Sequence, residues 1–281
     1  MKLLSVLLAM ILWVAAPAVA ASPLTNPFFV FDNGTGRDQH VSLEDQAELV
    51  KRTGYAGLGY TGTLHIPEML QALESRGLKM FSIYVAAYIN GDRPTFDPGL
   101  AEAIQQLKGH GTVVWLTVRG AAPDGDARAT AIVREIADKA AASGLRVALY
   151  PHVGMFVGRI EDALRVAKNV DRPNVGVTFN LAHFLAAKDE PNLDERLRGA
   201  LPHLFMVSIN GAEHEGGWDR LIQPLDRGAF DVYSLLKKLV ALGYQGPIGL
   251  QCYQVPGDRE ENLTRSMAAW RKFRERMADD H

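Results

Sequence analysis

Cysteine and net charge of either sign are both scarce in this sequence of 281 residues. Its single cysteine, Cys252, excludes a disulfide within one chain. The 30 Lys and Arg residues nearly balance the 32 Asp and Glu residues, which leaves a formal net charge of −2. The basic residues are scattered and form no stripe. The sequence therefore gives no electrostatic reason to expect binding to nucleic acid or to an anionic membrane.

Two further features are missing. After the N-terminal region, no apolar run is long enough to cross a bilayer. The first predicted strand is not followed by G-x-G-x-x-G, which argues against a dinucleotide-binding open sheet. The rest of the composition is that of a globular protein, with 47% hydrophobic and 22% charged residues, and it suffices for a sizeable core.

The N-terminus has the pattern of a secretory signal peptide. Lys2 precedes an apolar run over 3–16, and Ala18-Val19-Ala20 supplies an A-x-A cleavage site. The alternative is an uncleaved anchor helix, but the run is short for a transmembrane span. We predict a signal peptide at residues 1–20 and a mature domain at 21–281. The mature protein is expected to be periplasmic or secreted, without membrane attachment after cleavage.

Short apolar runs alternate with helical patterns along the mature chain, as βα units do. The predicted strands lie near residues 27–31, 55–60, 78–85, 112–118, 145–152, 174–181, 204–209 and 247–253. This alternation predicts an α/β fold, a single-domain (β/α)8 TIM barrel. An open doubly wound sheet is the alternative.

Polar side chains gather toward the C-terminal ends of the predicted strands. In a parallel barrel these ends meet at one mouth, where active sites lie. The residues predicted to bind a substrate there are Tyr84, Arg119, Tyr150, Asn180, Ser208, Asn210, Gln251 and Tyr253. Amides and hydroxyls match sugar hydroxyls, and tyrosines stack on the C–H face of a sugar ring. The alternative is that some of them satisfy buried backbone groups.

Two histidines, His152 and His183, are the predicted catalytic residues, because imidazole titrates near working pH. A packing role is the alternative for each. Arg119 is expected either to bind a carboxylate or phosphate or to pair with an acid of the barrel wall. Glu213 and His214 lie on a long loop predicted to overhang the mouth, where they would supply a carboxylate or a metal site, or remain solvated.

The segments PLDRGAFD at 224–231 and LGYQGP at 242–247 resemble the xylose isomerase-like barrels, a family of sugar isomerases, epimerases and AP endonucleases. The resemblance implies one divalent metal held by acidic and histidine ligands at the ends of strands five to eight. The matching positions here are Tyr150, Asn180, Ser208 and Gln251, which lack carboxylates. Metal dependence is therefore not carried over, and no cofactor is expected, although a divalent metal stays open. His152 and His183 match histidines on the substrate side.

The sequence is consistent with two functions. The first is an exported sugar or keto-sugar isomerase or epimerase, or a related lyase, that acts by histidine-mediated proton transfer in a neutral polar pocket. The second is a catalytically degenerate barrel that binds carbohydrate as a receptor or accessory module. An endonuclease is a distant third, because no basic groove is evident. The expected partner is a small carbohydrate, and the sequence leaves the particular sugar and the oligomeric state open.

Overall fold

Eight parallel strands close into a barrel in the computed structural model, which describes residues 24–280. Each strand pairs with its sequence neighbours, and β8 pairs with β1, so the predicted (β/α)8 fold is confirmed. The strands are β1 Phe28–Phe31, β2 Gly57–Thr61, β3 Lys79–Tyr88, β4 Val113–Arg119, β5 Arg146–Leu149, β6 Val175–Asn180, β7 Leu204–Ile209 and β8 Ile248–Leu250. The predicted signal peptide lies outside the described residues.

Helices surround the barrel, and several begin at a side-chain cap. Ser42 Oγ accepts a hydrogen bond from the Asp45 amide, and Asp231 and Asp258 cap later helices in the same way. Within residues 24–280, no helix is long and apolar enough to cross a membrane. The helices are α1 Leu43–Thr53, α2 Ile66–Glu74, α3 Leu100–Gln106, α4 Gly125–Ala142, α5 Ile160–Val170, α6 Leu181–Ala186, α7 Leu193–Ala200, α8 Trp218–Leu221, α9 Val232–Ala241 and α10 Arg259–Asp279.

Alternate residues of each strand face outward and form the larger core with the helices. On β1, Phe28 faces outward and stacks on Trp270 of α10, with ring centroids 4.2 Å apart. Both side chains are buried. Burying an aromatic side chain of this size stabilises the fold by roughly 2–3 kcal/mol relative to leaving it exposed. The contact fixes the C-terminal helix against the first strand and closes the helical ring.

Inward-facing aromatic side chains fill the barrel interior. Phe29 is fully buried, stacks on Phe81 at 4.9 Å and contacts Trp115 at 5.9 Å. Gly249 leaves room for the ring, because a Cβ at that position would lie 2.6 Å from Phe29 Cζ. Phe31 meets Trp115 edge-on at 4.9 Å. The interior is a packed core, and the pocket at the mouth lies above this aromatic layer.

Several strand ends differ from those expected. The third strand continues to Tyr88, three residues further than predicted. The fifth and eighth strands end at Leu149 and Leu250, so the polar residues that follow them lie on loops. Both loops begin at the barrel mouth, because the strands they follow end at that side of the barrel.

The largest difference is at residues 181–186, which form α6 and do not extend the preceding strand. The physical reason is a cap: Asn180 Oδ1 accepts a hydrogen bond from the His183 amide at 3.0 Å. The side chain of His183 therefore projects from the first turn of a helix. The apolar run LAHFLA fits both a buried strand and a buried short helix, so its periodicity alone does not separate them.

The close packing of aromatic side chains in the barrel interior predicts that Phe29→Ala strongly lowers the stability of the fold. Removing the ring leaves a cavity between Phe81 and Trp115, and we expect a loss of about 3–5 kcal/mol in the free energy of unfolding. Urea denaturation followed by circular dichroism measures it. Leu64→Ala is the matched control, since Leu64 is 71% exposed and a change within about 0.5 kcal/mol is expected. Equal effects of the two substitutions would contradict the packing described.

Candidate active site at the barrel mouth

A pocket of about 350 Å³ opens at the C-terminal ends of the strands. It brings together seven of the residues expected from the sequence: Tyr84, Arg119, Tyr150, His152, His183, Gln251 and Tyr253. Its other lining residues are Phe31, Asp32, Asn33, Arg37, Gly59, Thr61, Ser82, Trp115, Met155, Trp218 and Ile222. The lining combines aromatic surface with amides, hydroxyls and a few charged groups, which is the usual composition of a small-molecule site.

Three of the expected residues lie outside the lining. Asn180 is buried and caps α6 while its amide donates to the Tyr150 hydroxyl. Ser208 is buried at the end of β7. Asn210 Nδ2 donates to the carbonyls of Gly211 at 2.8 Å and Leu221 at 2.6 Å. Asn210 thus fixes the loop after β7, and Asn180 acts on the pocket through Tyr150 and His183.

The loop after β7 contributes an aromatic residue to the pocket, while Glu213 and His214, which the sequence left either at the mouth or solvated, lie outside the lining. His214 is exposed, with Nδ1 2.8 Å from Glu190 Oε1, and neither it nor Glu213 lines the pocket. Trp218, from α8 on the same loop, lines the pocket and meets the His183 ring edge-on with centroids 5.1 Å apart. The loop after β7 therefore places an aromatic side chain, and neither Glu213 nor His214, beside His183.

Tyr150 forms the floor of the pocket. Its ring packs against Tyr84 and Trp115, each at 5.3 Å. Its hydroxyl accepts hydrogen bonds from Asn180 Nδ2 and, at 3.4 Å, from Gln251 Nε2. Burial raises the pKa of Tyr150 well above its ordinary value, so the phenol keeps its proton at neutral pH. That proton is free to be donated to a ligand oxygen.

Gln251 links this floor to the first strand. Its Oε1 accepts from Asn33 Nδ2 at 2.7 Å and from the backbone amides of Cys252 and Tyr253 at 2.9 and 3.0 Å. The Gln251 amide is thereby held through Oε1 by these donors and through Nε2 by the Tyr150 hydroxyl. A continuous network of neutral groups runs across the mouth from the ends of β5 and β6 to those of β8 and β1.

The two histidines lie against each other, with ring centroids 3.8 Å apart. His152 Nδ1 is 3.0 Å from the Val153 carbonyl oxygen. A carbonyl only accepts hydrogen bonds, so the neutral ring carries its proton on Nδ1 and keeps a lone pair on Nε2. Among the described residues, buried His183 Nδ1 has no hydrogen-bond partner. The pair therefore has unused proton-accepting capacity beside the pocket.

Burial lowers the pKa of both imidazoles. For His183, burial and then repulsion from His152 lower the pKa to about 3. For His152, burial is the largest cause and the Arg119 charge adds to it, against the opposing hydrogen bond to Val153. Both rings are neutral at neutral pH. Because a second charge would lie next to the first, the pair holds at most one proton in the working range.

The sequence interpretation missed a buried carboxylate. Asp32 directly follows β1, lines the pocket and has a side chain only 1% exposed. Its Oδ1 lies 3.0 Å from Arg37 Nη1 and 2.9 Å from Thr61 Oγ1, and its Oδ2 accepts from the Thr61 amide at 2.7 Å. Burial raises the pKa of Asp32 to about 6, against the opposing effect of Arg37 and Thr61. The available signal was an acid at the end of an apolar strand, in the run Asp32-Asn33-Gly34, whose composition is that of a turn.

The positions that hold a metal in the resembling family do not fit one here. They are occupied by Tyr150, Asn180, Ser208 and Gln251, which supply no carboxylate and no imidazole. The amides of Asn180 and Gln251 donate to the Tyr150 hydroxyl, so these side chains are engaged with one another. Over residues 24–280, no three His, Cys, Asp or Glu residues are grouped so as to hold a metal ion.

Fold and site together define a (β/α)8 barrel with a small polar pocket at its C-terminal mouth. The family model described as xylose isomerase-like TIM barrel matches residues 48–273. The chain belongs to this family, and the resemblance found from the sequence is confirmed. A search of curated proteins found no matching sequence.

Solved structures of sugar epimerases have a similar fold. The apo 3-keto-D-glucoside 4-epimerase from E. coli has a TM-score of 0.72 at 18% identity, over 88% of this chain and 99% of that one. An L-ribulose 3-epimerase has a TM-score of 0.72 at 14% identity, over 90% and 96%. D-allulose 3-epimerase from Methylomonas sp. has 0.69 at 15% identity, over 91% and 100%. At these identities the similarity establishes the fold.

The lowered pKa of His183 predicts a pH-dependent stability term. Unfolded histidine binds a proton near pH 6.5 and folded His183 near 3, so the unfolded state binds more protons between these values. Proton binding by His183 in the unfolded state therefore lowers the free energy of unfolding of the wild-type protein as the pH falls. Relative to wild type, the free energy of unfolding of His183→Gln should rise by about 1 kcal/mol per pH unit from pH 6 to 4.

Urea denaturation at pH 4, 5, 6 and 7 measures this difference. Asp32→Asn should show the opposite trend relative to wild type. The pKa of Asp32 is about 6 in the folded protein against an ordinary 3.8, so the folded wild-type protein binds more protons between these values and gains stability as the pH falls. The variant lacks this gain. A difference between His183→Gln and wild type that stays constant over this range would show that His183 is not buried in its neutral form.

Proposed function

We propose that this protein is an exported enzyme that isomerises or epimerises a sugar or keto-sugar by histidine-mediated proton transfer. The observation that carries the proposal is the pair of His152 and His183, two neutral imidazoles in contact beside a polar pocket. Membership of the family and the common fold with sugar epimerases support the substrate class. The family and the similar fold support the class of sugar chemistry. The proton-transfer roles are inferred from the geometry of the pocket.

The chemistry begins at a carbon next to a carbonyl group. His152 Nε2, which carries the lone pair, takes the proton from that carbon while the C–H electron pair forms a C=C bond and the carbonyl π pair moves to oxygen. The phenol of Tyr150 and the guanidinium of Arg119 stabilise the oxyanion that develops. For isomerisation, the proton of the hydroxyl group on the first carbon moves to the enediolate oxygen, the returned proton adds to the former carbonyl carbon, and the C=O bond forms at the first carbon. For epimerisation, the returned proton adds to the opposite face of the first carbon and the original C=O bond re-forms.

His183 shapes the basicity of this pair. Its buried ring lies against His152, and a proton on either ring repels a proton on the other. The pair therefore accepts one proton from the substrate and releases it readily. Trp218 covers His183 on the side of the β7 loop and limits access of water to the ring.

The remaining lining residues suit a sugar. Tyr253 is 40% exposed at the rim and offers an aromatic face to the C–H side of a sugar ring. Arg119 Nε donates weakly to Thr117 Oγ1 at 3.3 Å, and its guanidinium lies 6.0 Å from the Tyr88 ring centroid. Arg119 therefore retains N–H donors for a carbonyl or carboxylate oxygen of the ligand.

The histidine roles predict a large loss of turnover in His152→Ala and His183→Ala. We expect each substitution to lower turnover by roughly 10²–10⁴-fold, the usual contribution of a general acid or base. A panel of sugars and keto-sugars incubated in D2O, with chromatography for products and mass spectrometry for incorporated deuterium, measures it. His214→Ala is the matched control, because His214 is exposed and does not line the pocket.

Full turnover in both histidine variants would contradict the assigned roles. Calorimetry against the same panel separates catalysis from recognition. A sugar bound by the wild-type protein with neither product nor deuterium incorporation would instead support the alternative, a barrel that binds carbohydrate as a receptor or accessory module.

Export is the second part of the proposal, and the cleavage pattern Ala18-Val19-Ala20 after an apolar run supports it. Expression of the full chain in a bacterium should give a periplasmic or secreted protein whose N-terminal residue is Ala21. A variant without residues 2–20 should stay in the cytoplasm. Recovery of the full-length chain in the membrane fraction would favour the uncleaved anchor helix.

A further inference from the structure

Asp32 is an acidic group of the pocket that the proposed histidine chemistry does not use. It lines the same pocket as His152 and is almost inaccessible to bulk water. We infer that Asp32 is a second proton-transferring group that acts on the face of the substrate opposite the histidines, which makes the enzyme a two-base epimerase. This inference rests on the proposed function and specifies which of its reactions takes place.

Barrel topology places the two groups on opposite sides of the mouth. In the closed order β1 to β8, β1 is four strands from β5 in either direction, so the ends of β1 and β5 face each other across the pocket. Asp32 is the first residue after β1, and His152 lies three residues after Leu149, where β5 ends. A sugar ring held between them presents one face to each.

The hydrogen bonds of Asp32 leave room for a transferable proton. Its Oδ1 is occupied by Arg37 Nη1 and Thr61 Oγ1, whereas within residues 24–280 its Oδ2 accepts from the Thr61 amide alone. A carboxylate oxygen has two lone-pair positions, so one position on Oδ2 remains for a proton or a substrate atom. The three donors hold the carboxylate in place, and the fourth position supplies the reactive site.

The protonation preferences of the two sides are complementary. Burial raises the pKa of Asp32 to about 6 and lowers the pKa values of both imidazoles, so burial shifts the preference for a proton toward the carboxyl group. Arg37, Thr61 and Asp38 are the groups that act on Asp32. The β1 side of the pocket therefore favours the acid form and the β5 side favours the base form.

One turnover is balanced in atoms and electrons. His152 Nε2 removes the proton from a carbon next to the carbonyl, and the freed pair produces an enediolate. The O–H bond of the Asp32 carboxyl breaks and its proton adds to the opposite face of the same carbon, so that the C=O bond re-forms and the configuration is inverted. The imidazolium then loses its proton to water and the carboxylate regains one. The reverse epimer uses the carboxylate as base and the imidazolium as acid.

The test compares inversion with deuterium exchange in D2O, using both epimers of a substrate that the wild-type enzyme converts. Asp32→Asn should reduce inversion by roughly 10²-fold or more, because the asparagine amide transfers no proton. It should still exchange the carbon-bound hydrogen of one epimer, the one whose C–H faces His152. His152→Ala should show the converse, with exchange in the other epimer only.

Asp138→Asn is the matched control. Asp138 pairs with Arg172, is exposed and does not line the pocket, so both rates should be unchanged. If Asp32 merely held Arg37 and Thr61 in place, Asp32→Asn would lower inversion and both exchange rates in equal proportion, and that result would overturn the inference. Unchanged inversion would overturn it as well. A wild-type enzyme that exchanges no hydrogen in any sugar overturns the proposed function itself.

Thr61→Val provides an independent measurement should Asp32→Asn fold poorly. The variant keeps the carboxylate but removes the hydroxyl hydrogen bond that lowers the pKa of Asp32. The acid form then persists to higher pH, so the alkaline limb of the pH profile for inversion should move upward. A limb that stays in place, in a variant with wild-type circular dichroism, would contradict the assignment of Asp32 as the acid.

Discussion

Close packing of aromatic side chains inside the barrel determines where a ligand is able to sit. Phe29, Phe31 and Trp115 fill the interior beneath Tyr150, and the glycines at 59 and 249 make room for the Phe29 ring. Because interiors of this density leave no space for a ligand, the pocket lies above this layer. Its depth is set by the Tyr150 ring, and its floor carries the phenol hydroxyl.

Above this floor, the residues are held by one another. Asn180 and Gln251 both donate to Tyr150, and Gln251 is fixed from the other side by Asn33. These side chains occupy positions where the family implies metal ligands, so the polar network takes the place of a cation cage. In the proposed reaction, proton transfer falls to groups whose pKa values burial has displaced, the imidazoles downward and the Asp32 carboxyl upward.

Much of the fold was predictable from local patterns. Apolar runs of strand length alternating with helical periods indicated eight βα units, and the structure confirms them. The side chains at the strand ends predicted the position of the pocket and seven of its lining residues. The helical start at Asn180 was missed because the run that follows is apolar on all sides. Asn210 was expected to line the mouth, but its amide lies between two carbonyls of its own loop.

The sequence by itself determined the barrel, because hydrophobic periodicity is a local property that each segment carries independently. It also determined that the strand ends carry neutral hydrogen-bonding groups and two histidines. Only the tertiary structure decided that the histidine rings touch, that Trp218 contacts His183 and that Asp32 is buried opposite. Those relations join residues from different βα units. Their distances, and the desolvation that sets their pKa values, exist only once the barrel has closed.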